Sequence, residues 1–180
     1  MIILRELKEK DASLMLEWMH DPDIQKSFKK NMMKTTIDDA VSFIKQSCVT
    51  NREKLYSGMS FHYAIANKTD DEYYGTISLK DLSLENRTAE YAIVLRKKAQ
   101  GQGIAYQATK LLLYKAFFDI GLHRVFLNVF SNNTAAIKLY EKCGFVFEGE
   151  FREHFLINGE FVNWKWYGIL RDEFKNIIHK

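Results

Sequence analysis

The period of apolar and polar positions changes several times along the 180 residues, and each change marks an element. Residues 2 to 5 read as a short strand. Asp11 is the expected N-cap of a helix through Met19, on which Ala12, Met15, Leu16 and Met19 share a face. Asp21-Pro22-Asp23 ends that helix, and residues 23 to 35 carry no clear period. Thr36 with Asp39 three positions on has the form of a capping box, opening a helix whose Ala40, Val41, Phe43, Ile44 and Cys48 are core candidates.

The pattern then turns to alternation. Phe61 to Ala66 and Tyr73 to Leu79 flank the polar stretch Asn67 to Glu72 as a hairpin, and a third run, Ala89 to Leu95, follows Glu85-Asn86-Arg87. Gln100-Gly101-Gln102-Gly103 opens a helical segment to about Ile120, with Ile104, Ala108, Leu111, Leu112 and Phe118 on one stripe and Gly121 as its stop. Arg124 to Phe130 alternates Val125, Leu127 and Val129 against Phe126, Asn128 and Phe130. Ser131-Asn132-Asn133 then leads into a helix ending at Cys143-Gly144, and strands are expected from Phe145 onward, with Asn158-Gly159 as a hairpin turn. The sum is a mixed α/β domain. A single proline, Pro22, and the lack of any linker, repeat or low-complexity tract make 1–180 one expected domain.

Composition narrows the class. With 47% hydrophobic, 14% aromatic and 27% charged residues the chain can offset its conformational entropy, which excludes global disorder. Lys and Arg number 26 against 23 Asp and Glu, a net +3 too mild and too interspersed for a nucleic-acid footprint, though a local anionic ligand is compatible with it. Arg5 interrupts the first apolar run before a signal core can form, and no stretch approaches the ~18 apolar residues of a membrane span. The expectation is a cytoplasmic protein with neither nucleic acid nor membrane as partner. Cys48 and Cys143 lie far apart without a CxxC or a nearby His pair, so neither a disulfide framework nor a metal site is expected.

Candidate chemistry begins at the paired glycines. A loop of this kind between a strand and a helix exposes backbone N–H groups at the positive end of the helix dipole, which suits a phosphate, and Lys97 and Lys98 add attraction for an anion. The spacing is not that of a P-loop and lacks the third glycine of a dinucleotide fingerprint.

Gln100-Gly101-Gln102-Gly103-Ile104-Ala105, followed by a helix, a strand and then Asn133-x-x-Ala136-Ile137-x-Leu139-Tyr140-Glu141-Lys142-Cys143-Gly144-Phe145, resembles the GNAT superfamily of N-acetyltransferases. From Glu90 to Leu170 the chain is similar to the branch holding spermidine N-acetyltransferases and ribosomal-protein N-terminal acetyltransferases, whereas the first 88 residues match only in layout. The resemblance implies a mixed, mostly antiparallel sheet flanked by helices, with strands splayed at an acetyl-CoA site. It places the phosphate loop on Lys98 to Gly103, where Lys98 departs from the usual Arg or Gln, and gives Gln100, Gly101, Gln102, Gly103, Ile104, Ala105 and Ala136 to the cosubstrate. It further implies that Val94 and Leu95 pair through their backbone with the pantetheine arm and that Asn133 bonds the same arm.

Tyr140 matches the family's general acid. A departing thiolate leaves more easily beside a hydroxyl, and a phenol with a pKa of about 10 still carries its proton at pH 7. An amine acceptor arrives mostly as ammonium, and Glu90 is the first candidate to take its proton, with His62, His123 and His154 as weaker alternatives. Cys143, at a helix C-terminus where the dipole opposes a thiolate, reads as packing. Phe151, Phe155, Phe161, Trp164, Trp166 and Tyr167 read mostly as core or subunit contact, with one of them a candidate wall of the acceptor site. The expected reaction is direct attack on acetyl-CoA by a primary amine: a polyamine, an amino sugar or a peptide N-terminus. Glu17, Asp21, Asp23, Asp38 and Asp39 are carboxylates a polyamine could use. A homodimer is left open, and the rival reading is a catalytically silent acyl-CoA-binding sensor or assembly module.

Overall fold

A computed structural model describes residues 1–52, 54–157 and 159–178. The strands are β1 (Ile2–Glu6), β2 (Phe61–Asn67), β3 (Tyr73–Ser83), β4 (Thr88–Leu95), β5 (Arg124–Phe130), β6 (Val146–Ile157) and β7 (Glu160–Leu170). They form one sheet in the order β1-β2-β3-β4-β5-β7-β6. Every neighbouring pair is antiparallel except β4 and β5. The helices are α1 (Ala12–Met19), α2 (Pro22–Gln25), α3 (Ile37–Thr50), α4 (Ile104–Tyr114), α5 (Thr134–Cys143) and α6 (Arg171–Ile178).

Because strand side chains alternate, the sheet supports a core on each face. Tyr63, Ile65, Tyr91, Val125, Leu127 and Val129 pack with Ala108, Leu112 and Leu113 of α4, Tyr140 of α5 and Phe174 of α6. Ala64 and Tyr73 pack on the opposite side with Met15 and Trp18 of α1 and Ala40 and Ile44 of α3. Each Val, Leu, Ile, Met or Phe among them taken fully from water contributes about 1.5–3 kcal/mol before entropy is set against it.

Local signals explain most boundaries. Thr36 Oγ1 accepts from the Asp39 amide at 3.2 Å while the Thr36 amide donates to Asp39 Oδ2 at 2.8 Å, so the capping box opens α3 as its sequence indicates. Gly144, at φ +98°, closes α5. Other expectations are corrected. Asp11 makes no side-chain cap to α1; its buried carboxylate accepts from the Lys8 amide and from Arg5, which closes the short 3-10 turn Glu9–Asp11. Asp21-Pro22-Asp23 does more than end a helix: Asp21 Oδ1 accepts from the amides of Asp23 and Ile24 and starts α2 with Pro22 at its first turn.

Leu111 and Phe118 are exposed, not core. Past α4 the chain takes a π-helical turn over Lys115–Asp119; Ala116 and Phe117, four positions after Leu112 and Leu113, continue the buried face, whereas Phe118 follows Leu111 on the exposed one. The tail, expected as strand only, also holds α6 after β7, with Glu173 accepting from the Leu170 amide at 2.8 Å and Phe174 buried. Of Phe151, Phe155, Phe161, Trp164, Trp166 and Tyr167 only Tyr167 is fully core, and Phe161 is 65% exposed. Of the expected Asn158-Gly159 turn, Asn158 lies outside the described residues, and Gly159 has φ +86°.

Candidate active site

The sheet is interrupted at its one parallel seam. β4 and β5 pair only at Thr88/Arg124, Ala89/Val125 and Glu90/Phe126, whereas β4 stays paired with β3 through Leu95 and β5 with β7 through Phe130. Past Glu90 the two strands therefore diverge, and the backbone edges of residues 91–95 and 127–130 face a gap instead of each other. Such edges are polar and call for a partner that can hydrogen-bond like a strand. A cavity of about 680 Å³ occupies the gap and is lined by residues from both faces of the sheet.

At the wide end of the gap lies the glycine loop. Gly101 and Gly103 have φ of +73° and +74°, and Gly103 is the N-cap residue of α4. A β-carbon at either glycine would meet nothing within 4 Å, so the demand for glycine is one of backbone conformation and not of space. Among the described residues no protein acceptor is in place for the amides of residues 101 to 106. Successive free amides at the positive end of a helix make an anion cradle. Gln100 Nε2 donates to Leu95 O at 3.2 Å and fastens the loop to the end of β4. Arg96, buried, fixes the same end from below by donating to both carboxylate oxygens of Glu17 on α1, at 2.7 and 2.9 Å, and to Tyr73 O at 2.8 Å.

Strand alternation sorts the cavity into two chambers. Tyr91, Ile93 and Leu95 face α4 and α5. There the Tyr140 ring meets Tyr91 edge-on at 5.8 Å and Phe145 at 6.0 Å. The Tyr140 hydroxyl has no protein hydrogen-bond partner among the described residues, and burial, with Cys143 nearby, pushes its pKa above the ordinary phenol value. Tyr91 is different: its hydroxyl is tied to Thr109 Oγ1 at 2.7 Å. Asn133 caps α5 by accepting from the Ala136 amide at 3.2 Å, while its Nδ2 donates to Ser27 Oγ at 3.1 Å.

Glu90 faces the other way. Its Oε1 accepts from Lys80 Nζ at 2.8 Å and from Asn128 Nδ2 at 3.4 Å. Phe130 and Trp164, opposite each other in the β5–β7 pairing, continue this second chamber, and Phe28 and Lys29 close it. Lys29 Nζ stands 4.0 Å from the centre of the Trp164 ring.

Of the residues expected at the site, Glu90, Val94, Leu95, Gln100, Gly101, Gly103, Ile104, Ala105, Asn133, Ala136 and Tyr140 all line this one cavity. The Lys98 and Gln102 side chains do not: Lys98 pairs with Glu72 of the β2–β3 turn, and Gln102 Nε2 turns back to Lys98 O at 2.6 Å. None of the three histidines lines it. His62 is held against Ser78 Oγ at 2.8 Å, and burial, with Lys80 adding repulsion, pushes its pKa down to about 4. Cys143 is buried in the core and burial pushes its thiol up to about 11. Glu17 is committed to Arg96 and Asp39 to the α3 cap, so neither is available to a polyamine in this arrangement. Sequence reading missed Lys80, Asn128, Ser27, Phe28 and Lys29. For Lys80 the hairpin alone is misleading: counting from the Ser83/Thr88 pair sets Glu90 opposite Asp81, and a bulge between Lys80 and Ser83 shifts the register to Lys80.

Among the described residues no cluster of three or more potential ligands suits a metal ion, and no helix is long and apolar enough to cross a membrane. The model of the acetyltransferase (GNAT) domain matches residues 1–146, and the chain belongs to this acetyltransferase family. A spermidine N(1)-acetyltransferase of Vibrio cholerae is 35% identical over 102 residues, which is 57% of this chain and 59% of that protein, so the chain spans less than two thirds of that relative's length. A putative ribosomal N-acetyltransferase, YdaF, of Bacillus subtilis is 31% identical over 135 residues, 72% of this chain and 74% of the relative. A crystal structure of Vibrio cholerae spermidine N-acetyltransferase in complex with CoA and spermine superposes with a TM-score of 0.83 at 25% identity, covering 97% of this chain and 98% of the other. The seven-stranded mixed sheet flanked by helices is the fold this chain shares with that structure.

Proposed function

We propose that the protein is an acetyl-CoA-dependent N-acetyltransferase that brings a primary amine to the thioester for direct attack in a ternary complex. The observation that carries this reading is the cavity itself, which runs from unpaired loop amides, through a gap in the sheet, to a chamber holding a carboxylate. Acetyl-CoA, when bound, supplies the activated acetyl group. The free amides of residues 101 to 106 suit its pyrophosphate, and the unpaired edge of β4 at Val94 and Leu95 suits the amide-rich pantetheine arm, with Asn133 and Ala136 beside it. Lys98 has no part in this through its side chain.

Tyr140, whose hydroxyl has no protein partner among the described residues, protonates the departing thiolate in this reading; its raised pKa keeps the proton on the oxygen through the neutral range. Glu90, on the far side of the gap, receives the proton that the attacking ammonium must lose, directly or through a water. The single sheet joining β1 to β7 supports residues 1–180 as one catalytic domain. We place it in the cytoplasm, where acetyl-CoA is available. Val146, Phe147, Phe151, Leu156 and Phe161, all exposed on the β6–β7 hairpin, support a homo-oligomer.

Release of free thiol from acetyl-CoA, measured across polyamines, amino sugars and peptides, tests the reading. Turnover with at least one amine is the expected result. Tight acetyl-CoA binding with no turnover would turn the protein into a silent acyl-CoA-binding module.

A further inference from the structure

The acceptor chamber has an electrostatic character of its own. Three carboxylates line the cavity, and each is already engaged. Asp21 Oδ1 accepts from two backbone amides at 2.8 and 3.1 Å, and its Oδ2 lies 3.9 Å from Lys97 Nζ. Asp23 pairs with Lys26 at 2.9 Å and with Lys97 at 3.3 Å. Glu90 pairs with Lys80 at 2.8 Å. The nearby Glu17 is taken by Arg96.

On the positive side two lysines that line the cavity have no carboxylate partner among the described residues: Lys142 of α5, which rests over the Tyr106 ring on the α4–α5 side, and Lys29, which alone of the two belongs to the acceptor chamber. The Lys29 ammonium rests over the ring of Trp164 at 4.0 Å and that of Phe155 at 5.5 Å. The segment that carries it, between α2 and α3, adds Lys26, Lys30 and Lys34. An aromatic face attracts a cation without neutralising it, so Lys29 is held in position with its charge still to be matched.

We infer that Lys29 selects acceptors whose primary amine belongs to a molecule that also carries a carboxylate or phosphate, and that polyamines are poor substrates. This inference rests on the acetyl-transfer reading above and refines it. An anionic group entering beside Phe28 and Trp164 gains the unmatched ammonium. A polyamine gains nothing comparable: among the described residues it meets no cavity-lining carboxylate without a partner, and its second ammonium must displace Lys29 from the rings or be repelled by it. The acceptor's carboxylate or phosphate then pins one end of the molecule while Glu90 addresses the amine.

Matched acceptors decide the matter: glucosamine against glucosamine 6-phosphate, and two peptides differing only in a Glu or a Lys after the N-terminal residue, with spermidine as the polycation. The anionic member of each pair should show kcat/KM at least about tenfold higher, chiefly through KM, and the advantage should shrink with added salt. Lys29 is exposed, so Lys29→Gln and Lys29→Glu should fold normally. Lys29→Gln should bring the pairs within about threefold, Lys29→Glu should invert them, and acetyl-CoA affinity by calorimetry should stay within about twofold. The phosphate and carboxylate pairs, read separately, distinguish the two anions. Spermidine as the best acceptor, or a preference that survives Lys29→Gln, overturns the inference. If acetyl-CoA binds and no amine is acetylated, the acetyl-transfer reading fails instead. In that event, titrating the CoA-loaded protein with glucosamine 6-phosphate and with spermidine still decides the charge preference, and tighter binding of spermidine overturns it.

Discussion

Lys80 stands directly opposite Glu90 in the β3–β4 pairing, its Nζ 2.8 Å from Glu90 Oε1, on the last rung before β4 and β5 part. The carboxylate proposed to take a proton from the acceptor is thus held in place by an ammonium from the neighbouring strand and by Asn128 from across the gap. Glu90→Gln keeps the shape and both approaches but removes the proton acceptor. The rate at neutral pH should fall by about 10²-fold or more, with part of the loss recovered at alkaline pH as free amine becomes abundant. A variant of unchanged melting temperature whose kcat/KM profile overlays that of the wild type would assign the proton to solvent.

Tyr140→Phe separates chemistry from binding. The hydroxyl has no protein partner among the described residues, so its removal should leave stability and acetyl-CoA affinity nearly unchanged. The kcat should drop by about 10²–10⁴ if chemistry limits turnover. A kcat within twofold in single-turnover measurements would show that the phenol is not the acid.

The two kinds of glycine at this site should fail differently. Gly103 lies in open space at φ +74°, so Gly103→Ala should cost about 1–2 kcal/mol in backbone strain and weaken acetyl-CoA binding as the cradle distorts. Gly75 on β3 has no such dihedral, but a β-carbon there would run into the Val94 carbonyl and the Leu95 backbone. Gly75→Ala must push the end of β4 into the cavity, so it should lower both melting temperature and cosubstrate affinity. Calorimetric binding beside thermal unfolding of both variants distinguishes strain from collision.

Much of this was legible from the residues alone, for physical reasons that differ by element. The capping box at Thr36 and Asp39, the left-handed Gly144 and the alternation of Val125, Leu127 and Val129 are local codes, and the fold obeys them. The loop glycines and Tyr140 were found because main-chain geometry and one phenol were tied to a recurring pair of motifs. What escaped was non-local. Which of two adjacent apolar stripes meets the sheet, Leu111 with Phe118 or Leu113 with Phe117, is set by packing and not by the helical period. The second chamber is assembled from a β3 lysine, a β5 asparagine, a β7 tryptophan and the segment after α2, which no single stretch of sequence brings together.

Histidine 62 should make the fold sensitive to mild acid. Burial and the Lys80 charge hold its folded pKa near 4, against 6.5 for the free side chain. Below pH 6.5 the unfolded chain takes up a proton that the folded one does not, so stability falls as pH drops from about 6.5 to about 4 and this contribution levels off below that. His62→Gln removes the titration. Melting temperatures of the variant and the wild type should therefore converge toward the acid end of that window, and parallel curves from pH 7 to pH 4 would show that His62 does not contribute.

Arg96 and Glu17 predict an asymmetry between the two ends of one ion pair. The guanidinium is buried at the junction of α1, β3 and the end of β4, whereas the Glu17 side chain is half exposed. Glu17→Leu leaves a buried cation with Tyr73 O and, at 3.5 Å, Glu72 as its remaining partners, which should cost about 2–4 kcal/mol. Arg96→Met replaces the buried charge by an apolar chain of similar length and lets Glu17 return to water. What remains is the orphaned Tyr73 carbonyl, worth about 1–3 kcal/mol. Truncating the exposed partner should therefore destabilise at least as much as replacing the buried one, the reverse of what side-chain burial alone suggests. Urea unfolding of both variants measures it directly. Because Arg96 directly precedes the glycine loop, both variants should also weaken acetyl-CoA binding, and Arg96→Met more so, since it alone releases the strand end from both α1 and β3. Equal affinities in two folded variants would mean that Gln100, through its bond to Leu95 O, suffices to hold the loop.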